Sequence, residues 1–393
     1  MTLPGLTIIG ERINPGFRST QALFDQEDFA GIRALALKQA QAGARYLNVN
    51  AGTKALKDPA FMVEVVRTIQ SVVDLPLSLD CPDFAVLKTV LEAYDPAKAR
   101  GEKPVINSIS ESRWELAELM KVRPCKAILM SSEQERDGRI VPNRRGADVH
   151  EVAKRKMRRL LDGGYADGPS DFFVDVSIAT LAADTEGLIR MALDGIRLVG
   201  ADPEMAGVHI MGGLSNLPQH LPAKAADGSD LKFHLECAFL TVAMPLGFDT
   251  VLGTPWRGYR ILPEDNFVLR EFRRIIALED SEALMAVVDL YQEACGRSSP
   301  APGSTASATI ASRSRSSSTT ADGSPRSSPA SGPPGCRSSA AASSCPAWSR
   351  RTATCSSTGA SSTSVRATAT WRRRSSGWSR SPGRTSRAIS PPG

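Results

Sequence analysis

Eight short apolar runs alternate with eight longer amphipathic stretches across roughly the first 280 residues of this 393-residue chain, an order that leaves few folds open. The runs fall at about residues 6–10, 45–50, 76–80, 103–107, 126–130, 171–175, 207–211 and 248–252. Apolar runs of this length, set between helical patterns, read as buried parallel strands. The intervening stretches, among them FAGIRALALKQAQAG, AFMVEVVRTIQSVV and VHEVAKRKMRRLLDGG, repeat apolar residues at helical spacing. Gly43 and Gly163 close two of them as expected left-handed caps, and Asp83 is placed to cap the third helix. Eight β-then-α units predict an α/β fold, the (β/α)8 TIM barrel, with a doubly wound open sheet as the alternative. A ninth helical stretch, SEALMAVVDLYQEAC, follows the last unit.

Composition breaks near Gly296. Beyond it the chain has no Lys, Glu, Leu, Met, Phe or Tyr, and such a segment cannot bury a core. The reading is therefore a barrel domain over 1–296 and a Ser/Arg/Pro/Ala-rich tail over 297–393. The tail holds 14 Arg against Asp322 alone, so the body carries 34 basic against 41 acidic residues and the basic balance belongs to the tail. Arg with Trp371 and Trp378 is a composition that can grip phosphates and stack on bases. A solvated low-complexity tail is the plainer expectation, and no nucleic-acid partner is expected. The same composition is what a GC-rich gene yields out of frame after about Cys295, which the coding DNA decides. None of the seven cysteines forms a CxxC pair. With no signal-peptide pattern and no run of membrane-spanning length, the body is expected to be cytoplasmic and without a membrane partner.

Six of the apolar runs end on, or lead directly into, a carboxylate or a side-chain amide: Glu11, Asn50, Asp80, Asn107, Asp175 and Asn216. Taken singly, each fits a cap or turn that opens the following loop. In a barrel, however, the C-terminal strand ends surround one pocket, which brings residues spread over two hundred positions together. Such a set supplies hydrogen-bond donors and acceptors but no nucleophile, and suits a flat, nitrogen-rich heterocycle. His150, His209, His220 and His234 show no ligand spacing, so no bound metal is expected.

The segments IIGERIN (8–14), LNVNAG (47–52), LSLD (77–80), VINSIS (105–110), FVD (173–175) and GLSN (213–216) resemble the pterin-binding barrel methyltransferases. The resemblance runs from about residue 5 to 280, in matching order and spacing. It implies that methyltetrahydrofolate is the methyl-donor substrate and that its N5 methyl passes to the cobalt(I) of a corrinoid held by a separate protein. It also implies that Asp80, Asn107 and Asp175 hold the pterin and that Asn216 lies near N5 as the catalytic residue. Glu11, Asn48 and Asn50 are implied as supporting residues, and Asn48 stands where many relatives have an acid. A homodimer is a further implication. Dihydropteroate synthase, of the same superfamily, is the nearest alternative, but its Ser-Arg-Lys-Ser and Arg-x-His sequences are not found here. A pterin-binding protein without transfer activity is the other. The Asp-x-His-x-x-Gly corrinoid signature is incomplete at Asp148-Val149-His150, so the corrinoid is expected from the partner.

Overall fold

Residues 3–292 are described in the computed structural model. Ten strands occur in chain order: β1 (Thr7–Ile13), β2 (Tyr46–Val49), β3 (Leu77–Asp80), β4 (Val105–Ile109), β5 (Lys126–Met130), β6 (Glu133–Arg136), β7 (Arg139–Pro142), β8 (Phe172–Asp175), β9 (His209–Gly213) and β10 (Thr250–Gly253). All but β6 and β7 run parallel and close into an eight-stranded barrel. β1 pairs with both β2 and β10, with Thr7 opposite Thr250 and Gly10 opposite Leu47, which closes the ring. The fold is the expected TIM barrel. Every expected strand is found, each displaced by no more than a few residues. The tail reading for 297–393 lies outside the described residues.

Alternation along the strands divides the core in two. Ile9, Tyr46, Val105, Ile128, Phe173 and Met211 form a cluster inside the barrel, while the large cluster, including Leu47, Leu79, Ile106 and Val174, packs between strands and helices. The inner cluster is aromatic at its centre. Tyr46 meets Phe173 edge-on at 5.6 Å, and Phe173 stacks on His209 at 4.9 Å. The interior is thus a packed plug, and polar groups further up the strands line an open mouth above it.

Helix starts are fixed by side chains. Asp28, Asp58, Asp83, Asp230 and Asn266 each accept a hydrogen bond from a backbone N–H in the first turn of the helix they precede, which includes the expected Asp83 cap. A cap of this kind contributes about 1 kcal/mol. Gly43 has φ +96°, as expected, but Gly163 is right-handed at φ −79° and Gly164 takes the positive φ of +67°. The helix therefore runs through Gly163 before the chain reverses.

The polar segment from Ser131 to Gly146 contains an antiparallel hairpin of β6 and β7. Asp137 and Gly138 both have positive φ, at 52° and 71°. That is the two-residue turn whose twist matches a hairpin. Its base is tied down: Asn143 donates to the Ser131 carbonyl at 2.8 Å and accepts from Gln134.

No helix among the described residues is long and apolar enough to cross a membrane.

Candidate functional site

Two residues beyond the inner cluster on β1, β2, β4, β8 and β9, and beyond its partner Leu252 on β10, stand Glu11, Asn48, Asn107, Asp175, Gly213 and Thr254. Strand alternation turns the same face inward there. Asp80 ends β3 in register with Asn107. The expected residues stand at the same end of the barrel but not in one network: hydrogen bonds form one group around Asn48 and another around Glu11, while Asp175 and Asn216 belong to neither.

The first group centres on Asn48, only 1% exposed. Its Nδ2 donates to Asp80 Oδ2 at 3.1 Å, while its Oδ1 accepts from Ser78 Oγ at 3.0 Å and from Asn107 Nδ2 at 3.1 Å. The carboxamide thus fixes the orientation of both neighbours. Burial pushes the Asp80 carboxyl above its ordinary range, and hydrogen bonds from Asn48 and Asn50 and the charge of Arg113 pull it back. Asn50 Oδ1 also accepts from the Gly52 N–H at 2.8 Å, a turn ahead of the helix Gly52–Lys57. Arg113 adjoins this group, donating to Ser108 Oγ at 3.2 Å.

Asp175 stands across the mouth. Its Oδ1 accepts from the Ser177 N–H at 2.7 Å, and burial pushes its carboxyl up to about 6. Between Asn107 and Asp175 the last residue of β5, Met130, supplies an apolar edge, with Ser177 Oγ 3.1 Å from its sulfur. Lys156, 1% exposed, donates to the Met130 carbonyl at 2.6 Å, and burial lowers its ammonium to about 8.

The second group centres on Glu11. A register shift between Gly10 and Ile13 takes Arg12 out of the ladder with β2, and its N–H donates to Gln39 Oε1 at 3.0 Å instead. Gly10 makes room for this, because a Cβ there would lie 2.6 Å from that oxygen. Glu11 accepts from Ser215 Oγ and from Thr254 Oγ1, each at 2.8 Å, which binds the ends of β1, β9 and β10 together. Burial raises its carboxyl. Nearby, Arg257 donates to Glu236 Oε2 at 2.7 Å, and burial pushes Glu236 up to about 7.

Asn216 is exposed, on a one-turn helix after β9. Its Oδ1 accepts from Gln219 Nε2 at 2.9 Å, which leaves Nδ2 as the outward donor. Nδ2 lies 2.9 Å from where a Cβ on Gly213 would stand. The absent side chain of Gly213 is what lets the carboxamide sit over the strand end.

Ser78, Arg113, Ser215 and Thr254 carried no separate signal in the sequence. Their roles come from strands far apart in the chain, although Thr254 ends its apolar run just as the six expected residues end theirs.

With this geometry in place, similarity to known proteins narrows the reading. The sequence is similar to that of a known methyltransferase. The relative is the methylcorrinoid:tetrahydrofolate methyltransferase of Eubacterium limosum, 25% identical over 257 residues that cover 64% of this chain and 85% of the relative. No protein-family model matches the chain. Solved structures similar to it include dihydropteroate synthase from Thermus thermophilus in complex with 6HMPPP (TM-score 0.43, 16% identity, 65% of this chain and 92% of that one). The Yersinia pestis enzyme with a pterine-sulfa conjugate gives a TM-score of 0.45 at 15% identity, over 70% and 94% of the two chains.

Proposed function

We propose that this chain is a methyltransferase that binds methyltetrahydrofolate at the barrel mouth and exchanges the N5 methyl group with the cobalt of a corrinoid on a separate protein. The observation that carries the reading is the Asn48-centred network, in which Asp80 and Asn107 are held in fixed orientation opposite Asp175. Similarity to the E. limosum methyltransferase supports it.

A pterin presents an amino group and a ring N–H along one edge, with a carbonyl and ring nitrogens beside them. A reduced pterin carries a second ring N–H on its other side, so Asp80 and Asp175, on opposite sides of the mouth, accept from donors on the two sides of the ring while Asn107 donates to its acceptors. Met130 gives the ring an apolar edge to pack against. Because these side chains are already fixed by one another, little ordering remains to be done when the pterin arrives.

Asn216 is the residue assigned to the chemistry. When the methyl–N5 bond breaks, its electron pair stays on nitrogen, and that charge must be met in the transition state. With Oδ1 engaged by Gln219, the Nδ2 donor is turned to N5 and its hydrogen bond strengthens as the methyl leaves. The partner's corrinoid supplies the cobalt(I) that takes the methyl group. The barrel's share is orientation and electrostatic assistance. The relative's name describes transfer from methylcorrinoid to tetrahydrofolate, the reverse of the direction implied by the sequence resemblance. The same residues serve both, since both directions cross one transition state.

The test is transfer from methyltetrahydrofolate to a reduced corrinoid protein, followed by the change in the cobalt absorption spectrum. Transfer that depends on this protein is expected. Tight folate binding without transfer in either direction overturns the assignment and leaves a pterin-binding protein.

A further inference from the structure

Behind the mouth lies a buried charge that the pterin clamp does not use. Lys156, on the helix Gly146–Asp162, is 1% exposed. Its Nζ donates to the Met130 carbonyl at 2.6 Å and stands 4.0 Å from Glu111 Oε1, the nearest carboxylate among the described residues. Arg155 donates to that same oxygen, so Lys156 shares its counter-charge. Around the ammonium, the charges of Glu111 just past β4 and Glu133 on β6 favour it, while those of Arg155 and Arg113 oppose it.

Stability does not account for this ammonium. Burial lowers it to about 8, below its ordinary 10.5, so the unfolded chain holds the proton more tightly than the folded one. The charge therefore costs the fold stability at neutral pH, and the cost is relieved as pH rises from about 8 to 10.5. An apolar side chain of similar length packs into such a place without that cost. Ionisable groups kept buried against stability are found where a site needs them.

What Lys156 grips gives the reason. Met130 ends β5, which stands between β4 and β8 in the barrel, and it is in register with Asp175. Its sulfur lies 3.1 Å from Ser177 Oγ, and the Ser177 N–H donates to Asp175 Oδ1 at 2.7 Å. Ser177 holds a positive φ of 58°, which a non-glycine residue keeps only where its contacts impose it. On the other side, Glu111 begins the stretch Glu111–Lys121, which carries Arg113 back to Ser108, the neighbour of Asn107. One ammonium thus faces both halves of the mouth. We infer that Lys156 is a positioning residue: from behind the barrel wall it fixes the end of β5 against the turn after β4, and so sets Met130 and Asp175 opposite Asn107 for the ligand. The inference rests on the pterin reading above and deepens it, since a residue that never meets the ring then governs how well the ring is held.

The experiment titrates methyltetrahydrofolate calorimetrically into the full chain between about pH 6.5 and 9.5, as wild type, Lys156→Met and Glu111→Gln. Wild-type affinity should fall on the alkaline side of about pH 8, where the ammonium is lost. A charge-assisted hydrogen bond is roughly twice as strong as a neutral one, so the expected fall is about fivefold. Lys156→Met should bind roughly tenfold more weakly than wild type near pH 7 and show no such fall, because nothing at position 156 titrates. Glu111→Gln removes the largest charge that favours the ammonium, so the fall should begin at lower pH. This second variant keeps the test open if Lys156→Met fails to fold. A role in folding alone lowers affinity equally at every pH and shifts neither profile. Wild-type affinity that stays level to about pH 9, or a fall unchanged in both variants, overturns the inference and leaves the pterin reading standing. Binding at no pH overturns both.

Discussion

Asn48→Asp is the substitution that probes the first hydrogen-bonded group most sharply. The carboxamide and the carboxylate have the same shape, and Oδ1 would still accept from Ser78 and Asn107. The one change is at Nδ2, the donor that lies 3.1 Å from Asp80 Oδ2. It becomes an oxygen facing an oxygen at a position only 1% exposed. Two charges about 4 Å apart repel by roughly 4 kcal/mol at an effective dielectric near 20, which corresponds to a shift of about 3 pKa units. The pair would then keep one proton up to about pH 7, filling the oxygen–oxygen gap, and titrate as a unit. In the unfolded chain both acids lose their protons near pH 4. The folded state thus holds one more proton than the unfolded state between these limits, and the variant loses stability relative to wild type as pH rises. The slope is about 1.4 kcal/mol per pH unit, or roughly 3 kcal/mol between pH 5 and pH 7. For a domain of this size that is a relative fall in Tm on the order of 6–10 °C. Thermal denaturation of both proteins across pH 5–8 measures it. A Tm difference that does not change with pH would refute the contact between residues 48 and 80.

Other consequences follow from individual residues. Asp175 is held at about 6 by burial, above its ordinary 3.8, so its ionised form weakens the fold above pH 6 and not near pH 4. Asp175→Asn should raise stability at pH 7.5 by roughly 2–3 kcal/mol, an advantage that shrinks as pH falls through 6, while folate affinity drops at least about tenfold. A destabilised variant at pH 7.5 would contradict this. Gly213→Ala is tolerated by the backbone, whose φ is −77°, but its Cβ would meet Asn216 Nδ2 at 2.9 Å. The expected result is a transfer rate lowered roughly tenfold with the melting curve unchanged, and an unaltered rate would remove Asn216 from the chemistry.

How much of this was legible in the sequence depends on the range of the interaction. Strand order and the direction of each polar strand end follow from local pattern, because period-two alternation fixes which face a residue takes. The barrel then fixes which end of the molecule it reaches. Partners do not follow in the same way. Glu11 is held by Ser215 and Thr254, more than two hundred residues away in the chain. The hub role of Asn48 depends on β2 lying beside β3, with Asp80 in turn beside Asn107. The hairpin at 133–142 was legible through Asp137-Gly138, but the dense charge around it hid the two short strands. Lys156 shows the same limit in reverse. Its position in a basic helical stretch suggests solvent, yet packing turns its ammonium to the Met130 carbonyl.

Calorimetric titration of methyltetrahydrofolate into the full chain tests the central claim most directly, with Asp80→Ala and Asn216→Ala measured beside wild type. Binding to wild type, its loss in Asp80→Ala, and its retention with slowed methyl transfer in Asn216→Ala are the predicted results. Unchanged folate binding in Asp80→Ala would contradict the account.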